Sequence, residues 1–211
     1  MKSIEDTLKL IDNIVGSLSK HDAITIALVG GYAAIAHGVE RTTVDVDFCI
    51  YTGIINGKNT ISFIDLLKKN IPDNFEVQLI QGSKFLDDPF KHDVIFLHDK
   101  SGDYPRLDFI VAKYKWELEG IKAACPLEDI AFPVLPKPYL IAMKLRAGGP
   151  KDDYDVIELY ELLTDEEKIK TNELARIVHK DKKLVRLIKP RKTKREKEDK
   201  DQLIKKKGGK L

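Results

Sequence analysis

The sequence predicts an α/β core followed by a helical C-terminal part, and three observations carry that expectation. Ile24 to Val29 is a short apolar run rich in β-branched residues, closed by Gly30-Gly31. Val44 to Phe48 alternates strictly between apolar and acidic residues, the period of a half-buried strand, and Arg106 to Ala112 alternates again, with Leu107, Phe109 and Val111 on one face and Asp108 on the other. Beyond Pro126, Pro133, Pro136 and Pro138 the pattern turns helical.

Taken in order, residues 3 to 19 place apolar side chains at Ile4, Leu8, Leu10, Ile11, Ile14, Val15 and Leu18, the pattern of an amphipathic helix. The run at 24–29 reads as a buried strand, and Tyr32 to His37 as a short Ala-rich helix stopped by Gly38. The alternating strand at 44–48 comes next, with Val44, Val46 and Phe48 directed to the core. Residues 60 to 70 suit a helix, Glu76 to Ile80 and Val94 to Leu97 suit strands, and 106–112 is a further strand. Helices are expected at about 113–123, 138–147, 152–163 and 166–179. The expected organisation is an α/β core over 1–130, a helical segment over 131–180 and a basic, flexible tail over 181–211.

Composition narrows the class. The 211 residues are 43% hydrophobic and 33% charged, enough to build a core and too apolar for wholesale disorder. Cys49 and Cys125 are too few for a disulfide framework and lie in no metal-binding spacing, which favours a reducing, cytoplasmic setting. The longest nearly apolar run, Ile24 to Ala36, is shorter than the ~20 residues that span a bilayer, so no membrane association is expected. The net charge of +2 is unevenly spread: Lys180 to Leu211 holds 15 Lys+Arg against 5 Asp+Glu, leaving the remainder acidic. Such a tail attracts phosphate polymers in a salt-dependent way, or serves only as a solvated extension.

The chemistry centres on carboxylates. Asp45 and Asp47 lie two apart on a strand, so their side chains share one face. Adjacent acids on a buried-looking strand repel one another and lose hydration unless a cation compensates, and a hard divalent ion with oxygen ligands does so. Asp108 is a third acid on a strand that otherwise reads as core. If the two strands are neighbours, three carboxylates converge where magnesium could sit. Gly30-Gly31, between a strand and a helix, forms either a tight turn or a cradle of backbone N–H groups for phosphate. Arg41 and Thr43 approach the strand and could contact phosphate; Lys144 could neutralise triphosphate or merely extend over apolar surface. Asp152 and Asp155 share a helix face, Asp152 as a helix-end acid or either as a partner of Lys144. His37, His92 and His98 have no nearby ligand partners, and Cys49 reads as core.

Val29-Gly30-Gly31, Asp45-x-Asp47 and Asp108 together resemble the signature of the DNA polymerase β-like nucleotidyltransferase superfamily. The finer form, Gly-Gly-Tyr-Ala followed by Arg41-x-Thr43-x-Asp45-x-Asp47, is similar to its AbiEii-type, toxin-related branch. So is a second block, Tyr139 to Ala147 followed by Lys151-Asp152-x-x-Asp155. Lys151 stands where that branch usually has Arg, and Gly148-Gly149 where it is often longer; the resemblance covers about residues 24 to 163.

The resemblance implies a mixed, twisted sheet flanked by helices and a metal-dependent transfer. Asp45, Asp47 and Asp108 would bind two Mg2+ ions, with Mn2+ as a substitute, and Asp108 would also orient or deprotonate the acceptor hydroxyl. Gly30 and Gly31 would cradle the triphosphate of a nucleoside triphosphate, assisted by Arg41, Thr43 and Lys144. The expected acceptor is RNA, transfer RNA foremost, or a protein, with the tail Lys180–Lys210 contacting RNA and an antitoxin protein as a further partner. The alternatives are modification of a small hydroxylated molecule such as an aminoglycoside, and a non-catalytic nucleotide- or nucleic-acid-binding module.

Overall fold

The computed structural model describes residues 2–20, 23–53, 60–83 and 91–189. Helix α1 (Ile4–Leu18) starts at Ser3, whose hydroxyl accepts the Asp6 N–H at 3.1 Å while the Asp6 carboxylate reaches back to Ser3. This reciprocal cap satisfies backbone donors that the first turn leaves open. The apolar face buries Leu8, Ile11, Ile14 and Leu18. Strand β1 (Ile24–Leu28) leads into α2 (Gly30–Ala36), then β2 (Val46–Thr52), α3 (Thr60–Lys68), β3 (Phe75–Ile80), β4 (Val94–Asp99) and β5 (Leu107–Val111). Helix α4 (Lys115–Lys122) precedes a hairpin of β6 (Cys125–Leu127) and β7 (Ile130–Val134).

One seven-stranded sheet results, in the order β3-β4-β5-β2-β1-β7-β6. It is mixed: β2 runs parallel to β5 and β1 parallel to β7, while the other neighbours are antiparallel. Strand β2 lies in the middle and is buried over Phe48, Cys49 and Ile50, each 1% exposed or less. Phe48 stacks on Phe109 at 5.3 Å and meets Phe132 edge-on at 5.5 Å, tying β2, β5 and β7 into one core.

Two expectations are corrected here. Val44 is 69% exposed, and the strand starts at Val46 and runs to Thr52. The alternation therefore described β2 correctly only from Val46 on; Val44 belongs to the approach loop, where an apolar residue has no core to meet. The hairpin β6–β7 was not expected at all. Its first strand has three residues, and Pro133 lies inside the second. Proline is tolerated there because β7 joins β1 through a single registered pair, Leu28 with Val134, so little of the ladder needs its missing N–H.

The C-terminal helices are α5 (Lys137–Ala147), α6 (Pro150–Glu161), α7 (Asp165–Ile177) and α8 (Asp181–Ile188). Gly148, at φ +79°, ends α5 in the left-handed conformation that glycine adopts without penalty, and Gly149 with Pro150 starts α6 at once. Thr164 and Glu167 cap α7 reciprocally. Residues 181–188, grouped with the tail in the sequence reading, form α8, which buries Leu184 and sets Lys183 2.5 Å from Asp153 of α6. The remainder of the expected flexible tail, residues 190–211, lies outside the described residues.

Candidate active site

The turn between β1 and α2 fits against β2 at close quarters. Val29 donates its N–H to the Asp47 carbonyl at 2.9 Å, and the Gly31 N–H bonds the Asp47 carboxylate. Gly30 has φ +65°, and a Cβ there would fall 1.8 Å from Asp47 Oδ2. Both the backbone conformation and the space admit glycine alone. Gly31 has a second tight neighbour, since a Cβ would fall 2.8 Å from Thr43 Oγ1. The helix that follows is short, seven residues, so the turn acts through individual N–H groups.

Parallel pairing of β2 with β5 sets Asp47 directly beside Asp108. Strand neighbours lie ~4.8 Å apart, so two carboxylates in register interact strongly. Asp47 titrates well above an ordinary carboxylate, pushed up to about 6, chiefly by burial and then by the charge of Asp108, with Lys144 and the Gly31 N–H opposing. Burial also raises Asp108, against the pull of Arg106. Asp45, just before β2, is more open.

Arg106 joins the outer two acids. Its Nε and Nη2 fork onto Asp108 at 2.8 and 2.9 Å, and Nη2 also donates to Asp45 Oδ2 at 3.0 Å. The sequence reading did not single out Arg106. Its signal was the same spacing that paired Asp45 with Asp47: it stands two residues before Asp108, just ahead of β5. Among the described residues, no group of three or more His, Cys, Asp or Glu side chains is drawn together tightly enough to hold a metal ion. The donor chemistry nonetheless fits a hard divalent cation, because three carboxylates face one region and a guanidinium already serves two of them as counter-charge.

A cavity of about 510 Å³ opens beside these groups, lined by Gly31, Arg41, Thr43, Asp45, Asp47, Lys144 and residues 149–152. Two of its cations share one anchor. Asp155 is fully buried, and its Oδ2 accepts from Lys144 Nζ at 2.7 Å and from Arg41 Nη1, while Oδ1 has no hydrogen-bond partner. Lys144 also lies 3.3 Å from Asp152 Oδ1. Asp152 does a second job, since its Oδ2 accepts the Gly149 N–H at 3.0 Å and caps α6. The two readings of Asp152, helix cap and lysine partner, thus coexist.

The remaining candidates sit elsewhere. His37 Nε2 donates to the Leu135 carbonyl at 2.8 Å, and burial lowers its pKa. His98 is exposed. His92 does have an acidic partner, Glu117 at 2.7 Å, a nearly buried residue on α4 that also accepts the N–H groups of Lys113 and Tyr114. Cys49 is core, and burial pushes its thiol pKa up.

The architecture is that of an α/β nucleotidyltransferase. The sequence model of the family described as nucleotidyl transferase AbiEii toxin, type IV TA system, matches residues 17–207, and the chain belongs to that family. It is a nucleotidyltransferase of a toxin–antitoxin system, which implies a nucleotide substrate and an antitoxin partner. No curated protein matches the chain by sequence. Similar solved structures include the antibiotic-resistance factor ANT(2'')-Ia in solution, at 17% identity and TM-score 0.46, covering 83% of this chain and 95% of that one. ANT(2'')-Ia in complex with adenylyl-2''-tobramycin is similar at 14% identity and TM-score 0.47, with 82% and 98% covered. An antigenic nucleotidyltransferase-like protein from Paracoccidioides brasiliensis is similar at 19% identity and TM-score 0.43, with 87% and 92% covered. Among the described residues no helix is long and apolar enough to cross a membrane.

Proposed function

We propose that the chain transfers a nucleoside monophosphate from a nucleoside triphosphate to a hydroxyl of RNA in the cytoplasm, with release of pyrophosphate. The observation that carries this reading is one cavity lined by opposite charges, the carboxylates of Asp45 and Asp47 together with the cations Arg41 and Lys144. Asp45, Asp47 and Asp108 would hold Mg2+, which when bound neutralises triphosphate charge and favours ionisation of the attacking hydroxyl.

The chain's own groups divide the remaining work. Arg41 and Lys144 bind the polyphosphate, and their shared carboxylate, Asp155, keeps both heads aimed at the cavity. Gly31 and Thr43 line the same cavity. Asp108 orients the acceptor hydroxyl and takes its proton. The acceptor oxygen bonds to the α-phosphorus as the bond from that phosphorus to its bridging oxygen breaks, and the pyrophosphate carries away the electron pair. Support for RNA as acceptor comes from charge: 15 Lys+Arg against 5 Asp+Glu over residues 180–211 offset an acidic remainder that would repel a polyanion.

The test is a labelling assay with each of four α-labelled nucleoside triphosphates, Mg2+, and either total RNA or cell-extract protein. Label entering RNA with the wild type and absent with Asp45→Ala/Asp47→Ala is the expected result. Deleting residues 190–211 leaves α8 intact and should weaken RNA binding most at low salt. Label in protein, in a small molecule, or RNA affinity unchanged by the deletion would overturn the RNA assignment.

A further inference from the structure

We propose that Arg106 is a resident counter-cation whose guanidinium competes with a divalent metal for the oxygens of Asp45 and Asp108. The inference rests on the reading of these carboxylates as metal ligands. Both Asp108 oxygens are taken by the Arg106 fork, at 2.8 and 2.9 Å, and one Asp45 oxygen is taken at 3.0 Å. A metal at these carboxylates therefore meets a cation already in place.

The arrangement suits displacement. The Arg106 side chain is 46% exposed, whereas that of Asp108 is 9% exposed, so the guanidinium can leave for water while the carboxylate cannot. The Arg106 backbone stays pinned, because its carbonyl accepts the Val46 N–H at 3.0 Å. The ring of Phe96, 5.3 Å from the guanidinium carbon, offers a surface along which the head can swing. Solvent-accessible ion pairs are individually weak, and a doubly charged ion with hard oxygen ligands is the stronger competitor. In the absence of metal, the guanidinium offsets repulsion between Asp45 and Asp108. With Arg106 displaced, Asp45 and Asp108 would hold the metal as counter-charge, and an Asp108 oxygen released from the fork would face the acceptor.

A purely structural role predicts the opposite effect of removing the guanidinium: looser carboxylates and weaker metal binding. The experiment uses the full-length chain without nucleotide and follows free Mn2+ by electron paramagnetic resonance. Wild type, Arg106→Gln, Arg106→Lys and Asp108→Asn are titrated side by side. Arg106→Gln should bind Mn2+ about tenfold more tightly than wild type, the effect of losing a bidentate charged contact. Arg106→Lys, which keeps the charge and loses the fork, should fall between them. Asp108→Asn should lose most binding. Equal or weaker binding by Arg106→Gln, with Asp108→Asn still impaired, would overturn the competition and leave the metal reading standing. Binding by none of the proteins, or binding indifferent to Asp108→Asn, would remove the metal reading itself and the competition with it. Should Arg106→Gln fail to fold, the Lys variant decides: tighter than wild type supports competition, and equal or weaker refutes it.

Discussion

Replacing Asp47 with Asn should stabilise the metal-free protein at neutral pH, although it removes a candidate metal ligand. Burial and the neighbouring Asp108 push Asp47 from 3.8 to about 6. The folded-state value is raised above that of the unfolded chain, so the folded protein binds the proton more tightly. Stability is therefore favoured below about pH 4 and declines as pH rises to about 6, where the folded carboxyl ionises. Above that range the charge costs roughly 3 kcal/mol. Asn keeps an oxygen to accept the Gly31 N–H and carries no charge, so the variant avoids this cost. For a chain of this size 3 kcal/mol corresponds to about 6–12 °C in Tm. Thermal unfolding in EDTA, followed by circular dichroism from pH 4 to 8, measures the difference between variant and wild type. The gap should be near zero at pH 4, open between pH 4 and 6, and hold above. Saturating Mg2+ should close or reverse it, because only the wild type gains from binding. A gap independent of pH, or a variant less stable than wild type at pH 7.5 in EDTA, would refute the electrostatic account of Asp47.

Two further predictions address the frame around the carboxylates. Gly30→Ala introduces a Cβ 1.8 Å from Asp47 Oδ2 at φ +65°; urea unfolding should show a loss exceeding the ~1–2 kcal/mol of the left-handed backbone alone, together with loss of nucleotide affinity. Lys144→Ala leaves the fully buried Asp155 with Arg41 as its remaining cation and should cost about 3 kcal/mol. Adding Asp155→Asn to that variant should recover most of the stability while nucleotide affinity stays low, and a double variant no more stable than the single one would show that charge pairing is not the cause.

The candidate site was legible where it depends on local geometry. Asp45 and Asp47 are two apart and line one cavity, although Asp45 lies just before β2 rather than on it. Gly30-Gly31 after an apolar strand marked the tight approach. Val44 shows the limit: alternation extends one residue pair beyond the point where pairing with β5 begins, and only the sheet decides where a strand starts. The hairpin β6–β7 was illegible because a three-residue strand and a proline-bearing one carry no periodic signal.

The sequence by itself determined most elements of the core, the two-residue spacing of Asp45 and Asp47, and the acid–base asymmetry between body and tail, since each follows from spacing or composition alone. Tertiary structure decided which charges meet. Asp47 faces Asp108 because β2 and β5 are parallel neighbours in register; Arg106 bridges to Asp45 from 61 residues away. Arg41 shares Asp155 with Lys144 across 114 residues. Charge compensation in a folded chain is a property of three-dimensional proximity and burial, and neither is written in the local period of the sequence.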